Sequence, residues 1–323
     1  MAVGPEITLP NGRKMPTVGT GLWKVSKDTA AEHVYNAIKL GYRLFDNATD
    51  YGNEREVGLG LKRAMDDGLV KREELFIVGK LWNTFHAREH VKENFQRTCS
   101  DLCVDYLDLY LVHFPIALKY VPQETRYPPE WKHEVDGPVI PVKIPFQETW
   151  EAMEALYNEG LAKNIGISNM SGAMLYDLLS YAKVRPAVLQ IELHPYLQRQ
   201  QLVELALTEG MAVTAYSSMG DTGYHEINMV PGGPRFVPLL KHDLIAEIAK
   251  RHNRSSAQVL LRWAIERGVA VIPKGSNDRE MMENLNVFDF SLTEEDMKEI
   301  ASLNQNLIFN DPGKYAGRLI WAW

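Results

Sequence analysis

The chain has 323 residues, 45% of them hydrophobic and 24% charged, with a formal net charge of −7 and a pI near 5.8. These proportions are typical of a soluble globular protein and exclude a disordered chain. The negative charge argues against general binding to nucleic acid or to anionic membranes, so an anionic ligand would need a local basic pocket.

The amino terminus, residues 1–6, lacks the basic start and apolar core of a signal peptide. The chain has no run of about 18 apolar residues that could form a membrane-spanning helix. Cys99 and Cys103 are its only cysteines, which does not suggest a secreted disulfide framework, and we expect both thiols to be buried or half-buried. These features predict a cytosolic protein.

The first structural elements are two short apolar runs around a Pro-Asn-Gly turn at residues 10–12, which predict a small hairpin. Residues 18–23 predict the first strand of the main repeat. The glycines of this strand do not complete a dinucleotide-binding fingerprint, because Lys24 stands where the third glycine is needed. A helix is predicted over residues 29–40, where the apolar side chains recur on one side.

The rest of the chain alternates between apolar runs and amphipathic helical patterns. Further strands are predicted near residues 43–47, 75–80, 106–113, 163–168, 187–193, 211–217 and 269–273. Helices are predicted near residues 54–67, 88–101, 147–159, 171–182, 199–208, 239–251 and 255–267. Eight strand signals, each followed by a helix, predict an α/β protein with a parallel sheet.

A closed (β/α)8 TIM barrel is the favoured architecture, with an N-terminal β-hairpin and long loops at the carboxyl-terminal face. An open doubly wound sheet is the alternative. The barrel is favoured because polar residues follow several strands and not one switch point. No linker-like Ser/Gly run divides the chain, so we expect a single domain over residues 1–323.

Long insertions interrupt the repeat. Residues 115–146 are rich in proline and aromatic residues, residues 219–237 carry four glycines, and a tail follows Asn304. Loops of this length in a compact domain are usually lids or binding loops.

Polar side chains stand where three of the predicted strands end. Asp46, Lys80 and His113 each directly follow an apolar run, and Tyr51 lies in the loop after the first of these runs. In a barrel of parallel strands all four residues would meet at the carboxyl-terminal rim, where such enzymes carry out their chemistry.

These four residue types suit general acid catalysis. A tyrosine has an ordinary pKa of about 10 and is a poor acid at neutral pH. We expect the ammonium group of Lys80 to lower the pKa of Tyr51, Asp46 to hold Lys80, and His113 to orient a substrate carbonyl. The alternative is a structural Asp46–Lys80 ion pair beside a core histidine. Four such residues at successive strand ends favour the catalytic interpretation.

Several motifs in the chain resemble the signatures of the aldo-keto reductases over about residues 6–312. They are Asp46 with Asp50-Tyr51-Gly52-Asn53-Glu54, Lys80-Leu81-Trp82, Val112-His113-Phe114-Pro115, Gly166-Ile167-Ser168-Asn169 and Ile272-Pro273-Lys274. Other segments are most similar to the fungal and yeast xylose reductases of that family. These are Val70-Lys71-Arg72-Glu73-Glu74, Tyr127-Pro128-Pro129, Tyr216-Ser217-Ser218 and Phe309-Asn310-Asp311-Pro312.

The resemblance implies a barrel that binds NADPH or NADH in an extended form and reduces an aldose, such as the pentose D-xylose, to its alditol. It implies Tyr51 as the acid, supported by Lys80, Asp46 and His113. The residues that it places around the cofactor are Trp23, Ser168, Asn169, Gln190, Tyr216, Ser217, Met219, Asp221, Glu226, Lys274, Ser276, Asn277, Glu283 and Asn284. Those that it places around the substrate are Trp23, Asp50, Trp82, His113, Phe114 and Asn310.

The chain departs from the family at the end of the site that would hold the 2′-phosphate or ribose. Gly275 replaces the usual serine, and Glu280 stands where an arginine is usual, with Arg279 displaced by one position. We therefore expect NADPH to be preferred, with NADH possible as a second cofactor.

Other functions remain open beside pentose reduction. Another sugar-derived aldehyde, such as a uronate or glyceraldehyde, could be the substrate, and a non-catalytic nucleotide-sensing subunit could share the fold.

We expect no metal. The segment His86-Ala87-Arg88-Glu89-His90 matches a zinc-protease pattern, but it has no evident third ligand and is better interpreted as a solvated helix start. We expect no nucleic-acid or membrane partner, and a monomer or homodimer.

Overall fold

The structure, a computed structural model, describes residues 4–230 and 236–316. Its strands in chain order are β1 (Glu6–Thr8), β2 (Lys14–Pro16), β3 (Thr20–Gly21), β4 (Leu44–Asp46), β5 (Phe76–Leu81), β6 (Leu109–Val112), β7 (Ile165–Ser168), β8 (Val188–Glu192), β9 (Ala212–Tyr216) and β10 (Val269–Val271). The predicted hairpin and all eight predicted strands of the repeat are confirmed, although β3 is shorter than expected.

The helices are α1 (Lys27–Leu40), α2 (Glu54–Asp66), α3 (Arg88–Asp101), α4 (Phe146–Asn158), α5 (Gly172–Tyr181), α6 (Gln200–Thr208), α7 (Asp243–His252), α8 (Ser256–Glu266), α9 (Asp278–Leu285), α10 (Glu294–Ala301) and α11 (Pro312–Ala316). The first eight were predicted. The α7 helix begins later than predicted, because the His242 ring caps it by accepting a hydrogen bond from the Leu244 N–H. The last three helices were not predicted.

The strands β3 to β10 form one parallel sheet in which neighbours in sequence are neighbours in space. The sheet closes through backbone hydrogen bonds from Gly19 N to Val271 O and from Val271 N to Thr17 O, both 2.9 Å long. Gly21 lies at this junction, and a Cβ atom there would sit 2.7 Å from the Ile272 carbonyl oxygen. The predicted barrel is therefore confirmed, and its closure needs a glycine.

The interior of the barrel is filled by side chains at the amino-terminal ends of the strands. Leu44, Phe76, Leu109 and Val188 are buried in one cluster with Met15 of the hairpin. The hairpin formed by β1 and β2 thus closes the amino-terminal end. The opposite, carboxyl-terminal end is left for the polar residues.

The outward-facing strand residues pack against the surrounding helices, so both faces of the sheet are buried. This accounts for the nearly continuous apolar runs from which the strands were predicted. Among the described residues, no helix is long and apolar enough to cross a membrane.

The two cysteines are both free, but only Cys99 is buried. Cys103 is exposed, so the prediction that both thiols are at least half-buried is wrong for it. The reason is its position just beyond α3, where a positive φ of 56° turns the chain away from the helix.

Candidate active site

The four candidate catalytic residues lie together at the carboxyl-terminal rim of the barrel. Asp46 is the last residue of β4, Lys80 is next to last in β5, and His113 directly follows β6. Tyr51 ends a 3-10 turn, Thr49–Tyr51, between β4 and α2. Neighbouring parallel strands bring their ends to one edge, as the sequence predicted.

The ammonium group of Lys80 is the centre of this cluster. It lies 2.5 Å from Asp46 Oδ1, 2.9 Å from the Asn47 carbonyl oxygen and 3.1 Å from the Tyr51 hydroxyl oxygen. Lys80 is completely buried and Asp46 is 1% exposed. A buried ammonium group is tolerated when a carboxylate and further acceptors surround it, and this one has both.

The pKa of Tyr51 does not follow the sequence-based expectation. Burial raises it well above the ordinary value, and the charges of Asp46 and Asp50 add to the effect. Burial also lowers the pKa of Lys80, whereas the charge of Asp46 raises it in part. The expected net fall of the Tyr51 pKa is therefore not found in the free chain, because loss of hydration and the nearby carboxylates outweigh the neighbouring ammonium. The phenol is held protonated, as a proton donor must be.

His113 is a neutral side chain in this setting. Burial lowers its pKa well below the ordinary value, and the charge of Lys80 lowers it further. Its ring lies edge-on to those of Tyr51 and Trp82, with centroids 6.0 and 5.3 Å away. A neutral imidazole can donate a hydrogen bond to a carbonyl oxygen but holds no extra proton to transfer.

A second polar group continues from the first across the rim. Gln190 Nε2 donates to Asp46 Oδ2 at 2.7 Å, and Asn169 Nδ2 donates to the His113 carbonyl oxygen at 2.9 Å and to Ser168 Oγ at 3.1 Å. The Tyr216 hydroxyl donates to Asn169 Oδ1 at 2.6 Å and in turn accepts from Asn310 Nδ2 at 3.1 Å.

These side chains have the chemistry that a nicotinamide ring needs. Its carboxamide requires both donors and acceptors, which the Ser168 hydroxyl and the amides of Asn169 and Gln190 provide. The three side chains are buried and the ring of Tyr216 is half-buried. The predicted nicotinamide residues are thus brought together and fit such a group.

Two of the predicted substrate residues, Trp82 and Phe114, form an aromatic wall next to His113. Trp82 and Phe114 are buried, with ring centroids 6.2 Å apart, and Trp23 is half-buried. Asp50 lies one residue before Tyr51. Burial, followed by the charge of Glu130, raises the pKa of Asp50 to about 7.

Two residues of the wall were not predicted from the sequence. Trp82 Nε1 donates to the Glu130 carbonyl oxygen at 2.9 Å, and the Trp131 ring lies edge-on to Trp82 with centroids 5.0 Å apart. Both belong to the insertion at residues 115–146. Its prolines and aromatics indicated a binding loop, but nothing in the sequence indicated which residues would reach Trp82.

The loop after β9 carries the predicted pyrophosphate and ribose residues. Ser217 Oγ lies 2.8 Å from the Tyr224 hydroxyl, Met219 is half-buried, and Asp221 is buried, where its Oδ1 accepts from the Leu239 N–H. Glu226 is exposed and pairs with Lys24 at 3.2 Å, which joins this loop to the one after β3. Gly232 and Gly233 lie outside the described residues.

The loop after β10 and the start of α9 carry the predicted adenosine-end residues. Lys274, Ser276 and Asn277 are exposed, Glu283 is half-buried and Asn284 is buried. Glu280 accepts hydrogen bonds from the Ser276 backbone N–H at 2.8 Å and from Asn277 Nδ2 at 3.1 Å. Its carboxylate therefore uses two donors that an anionic ligand would need.

Gly275 is explained by the packing of α9. A Cβ atom at this position would lie 2.6 Å from Met281 Cγ and 2.9 Å from the Met281 backbone nitrogen. A serine does not fit here without a shift of the helix.

The two histidines of the segment at residues 86–90 lie in different surroundings. His86 is buried, with Nδ1 3.3 Å from Thr149 Oγ1, and burial lowers its pKa to about 4. His90 stacks on Tyr120. The described residues contain no group of His, Cys, Asp and Glu side chains that could hold a metal ion. The prediction of a solvated helix start is wrong for His86, which precedes α3 and lies beneath α4.

Comparisons with known proteins agree with this geometry. The model of the Aldo/keto reductase family matches residues 15–305. A probable NAD(P)H-dependent D-xylose reductase from Emericella nidulans is 52% identical over 96% of this chain and 97% of its own length. An NADPH-dependent D-xylose reductase from Meyerozyma guilliermondii is 51% identical over 98% of each chain.

Solved structures are similar as well. The aldose reductase from Schistosoma japonicum superposes with a TM-score of 0.85 at 35% identity, covering 98% of this chain and 97% of that one. A Bombyx mori aldo-keto reductase in complex with NADP gives the same TM-score, identity and coverage.

Proposed function

This chain belongs to the aldo/keto reductase family and is an NAD(P)H-dependent oxidoreductase, and we propose that it reduces an open-chain aldose, D-xylose or a related pentose, to the alditol. The observation that carries the proposal is the contact of the Tyr51 hydroxyl with the buried Lys80–Asp46 pair at the barrel rim. Relatives about half identical over nearly the whole chain are named for this activity.

The proposed roles follow from the geometry of the rim. A nicotinamide cofactor, when bound, supplies the hydride to the carbonyl carbon. Tyr51 donates its proton to the carbonyl oxygen as negative charge develops there. Lys80, 3.1 Å away, stabilises the resulting phenolate, and Asp46 keeps Lys80 charged and in place. His113, neutral and adjacent, donates a hydrogen bond to the same oxygen.

The substrate assignment rests on the polar groups beside the aromatic wall. Asp50 and Asn310 supply hydrogen-bond partners for hydroxyl groups above Trp23, Trp82 and Phe114. Burial is the main cause of the raised pKa of Asp50, and the charge of Glu130 adds to it, so the two carboxyl groups lie near enough to interact. A substrate that carried its own carboxylate would meet like charge here, which favours a neutral aldose over a uronate.

A substrate panel tests this assignment. We expect kcat/KM for D-xylose to exceed the values for a uronate and for an apolar aldehyde such as hexanal, and Asn310→Ala to lower it for the sugar only. Equal values for hexanal and every sugar, with no effect of Asn310→Ala, would refute the assignment. No oxidation of cofactor with any aldehyde would instead favour a non-catalytic, nucleotide-sensing role.

NADPH is the proposed preferred cofactor, with NADH as a second one. Lys274 supplies a cation for a 2′-phosphate, whereas Glu280 supplies a nearby negative charge and occupies the Ser276 and Asn277 donors. Glu280→Arg should therefore tighten NADPH binding and leave the dissociation constant for NADH nearly unchanged. Glu204→Arg, at an exposed position on α6 outside the predicted cofactor residues, controls for the same change of net charge. A wild type already strongly selective for NADPH, with no gain from Glu280→Arg, would show that Arg279 or another group completes the site.

The proposal includes a cytosolic enzyme that acts as a monomer or homodimer without a metal. Two free thiols, one of them exposed, suit a reducing compartment.

A further inference from the structure

The segment that carries Tyr51 is tied to two other loops by Asn53, which precedes α2, and by Glu54, its first residue. Asn53 Nδ2 donates to the carbonyl oxygens of Leu22 and Val25, both at 3.0 Å, and these residues flank Trp23. Glu54 Oε2 accepts a hydrogen bond from the Tyr127 hydroxyl at 2.7 Å. Tyr127 belongs to the insertion at residues 115–146, called here the insertion loop.

The Glu54–Tyr127 contact is well enclosed. Glu54 is 2% exposed, and the guanidinium group of Arg97 lies over the Tyr127 ring, 4.3 Å from its centroid. Arg97 itself donates to Asp101 at 2.7 Å. Pro128, the next residue of the loop, lies against Gly52, where an added Cβ atom would contact its ring at 3.4 Å.

The insertion loop reaches the pocket a few residues further on. Glu130 accepts from the Trp82 indole, and Trp131 lies edge-on to both Trp82 and Phe114. Only Pro128 and Pro129 separate Tyr127 from Glu130, so a position fixed at Tyr127 also restricts the part of the loop that covers the pocket.

We propose that Glu54 and Tyr127 form a positioning pair that holds the insertion loop over the sugar-binding side of the pocket and so sets the affinity for a polyhydroxylated substrate. The pair does not touch the reacting carbonyl. This inference rests on the proposed aldose reductase function and adds the residues that shape its substrate side.

The chemistry of Glu54 supports a strong contact. Burial raises its pKa to about 7, and the hydrogen bond from Tyr127, followed by one from Thr98, acts in the opposite direction. No hydrogen bond of ordinary geometry from the described residues reaches the other oxygen, Oε1. When Glu54 is ionised, the Tyr127 hydrogen bond is therefore its main compensation within this part of the chain, and a hydrogen bond to a charged acceptor is about twice as strong as a neutral one.

Tyr127→Phe is the direct test, because it keeps the ring beneath Arg97 and removes only the hydroxyl. We expect KM for D-xylose to rise about tenfold, which corresponds to about 1.4 kcal/mol, near the lower end for a hydrogen bond to a charged group. We expect kcat, the dissociation constant for NADPH, and KM for propanal to stay within about twofold of wild type, because these do not depend on the loop that covers the sugar.

Two further variants separate this role from a general loosening of the loop. Tyr120→Phe is a matched control, because the Tyr120 hydroxyl of the same loop donates to a different glutamate, Glu93, at 2.8 Å. It should leave KM for D-xylose unchanged. Glu54→Gln keeps an acceptor for Tyr127 and should raise KM by no more than about threefold, the neutral hydrogen bond being the weaker one.

Amide hydrogen exchange over residues 126–131 of the free protein gives a readout that does not need turnover. We expect faster exchange in Tyr127→Phe than in wild type and in Tyr120→Phe. Unchanged exchange in Tyr127→Phe, an unchanged KM for D-xylose, or an equal rise in KM from Tyr120→Phe would each overturn the inference. If the wild-type protein reduced no sugar, only the proposed function would be refuted. The hydrogen-exchange experiment would still show whether Tyr127 and Glu54 hold the insertion loop in place.

Discussion

Replacing Asp46 by asparagine tests how the buried charges of the site act together. The substitution keeps the size of the side chain and removes the negative charge 2.5 Å from Lys80 Nζ. Burial lowers the pKa of Lys80, and Asp46 is the largest influence that opposes this. In Asp46→Asn the pKa of Lys80 should therefore fall further, and more of the lysine should be neutral at and above neutral pH.

The size of the effect follows from the position of Lys80. An ammonium group and a phenolate 3.1 Å apart attract each other by about 5 kcal/mol at an effective dielectric constant of about 20. Removing Asp46 also removes a charge that raises the pKa of Tyr51, which acts in the opposite direction. We expect the loss of the ammonium to dominate and kcat to fall about 100-fold to 1000-fold at about pH 8, equivalent to about 3 to 4 kcal/mol.

The assay is steady-state cofactor oxidation at saturating substrate from about pH 5.5 to about pH 8.5. The deficit of Asp46→Asn should shrink as the pH falls, because Lys80 regains its proton. Asp108→Asn is the control, since Asp108 is also buried and pairs with Arg72 at 2.8 Å, away from the rim. A deficit of Asp46→Asn that is the same at every pH, or a kcat equal to that of wild type, would refute this reasoning.

Two further predictions concern His113 and Glu54. His113→Ala should lower kcat/KM about 100-fold or more, and His113→Gln, which keeps an N–H donor, should lose clearly less; equal losses would show that no hydrogen bond from this position matters. Burial raises the pKa of Glu54 from 4.5 to about 7, so its contribution to stability is present below about pH 4.5 and is lost as the pH rises through about 7. As the pH rises from about 5 to about 8, the unfolding free energy of wild type should therefore fall by up to about 3 kcal/mol relative to that of Glu54→Gln, as measured by urea denaturation. A difference between the two proteins that does not change with pH would contradict the buried-acid argument.

The barrel and the centre of its site could be predicted because their signals are local. Apolar runs that stop at Asp46, Lys80 and His113 indicate strands buried on both faces, and the ends of parallel strands share one edge. The α10 helix was missed although its signal was present. Thr293 and Asp296 cap its start reciprocally, as a threonine and an acidic residue three positions later often do.

Other features could not be predicted because they depend on contacts distant in sequence. Glu54 and Tyr127 are 73 residues apart, and neither residue type alone indicates the other as its partner. Glu130 meets Trp82 with a backbone at positive φ, 58°, which a glutamate rarely adopts. The pKa of Tyr51 was expected to fall because the sequence reveals its charged neighbours but not its loss of hydration.

The central claim is that Tyr51 gives its proton to the substrate oxygen. The most direct measurement compares kcat for D-xylose and the dissociation constant for NADPH between wild type and Tyr51→Phe, which removes the hydroxyl and keeps the ring. We predict that kcat falls by about 100-fold to 10,000-fold, the usual contribution of a positioned general acid, while NADPH binding changes by no more than about twofold. A Tyr51→Phe enzyme that retains near-normal kcat would contradict the account.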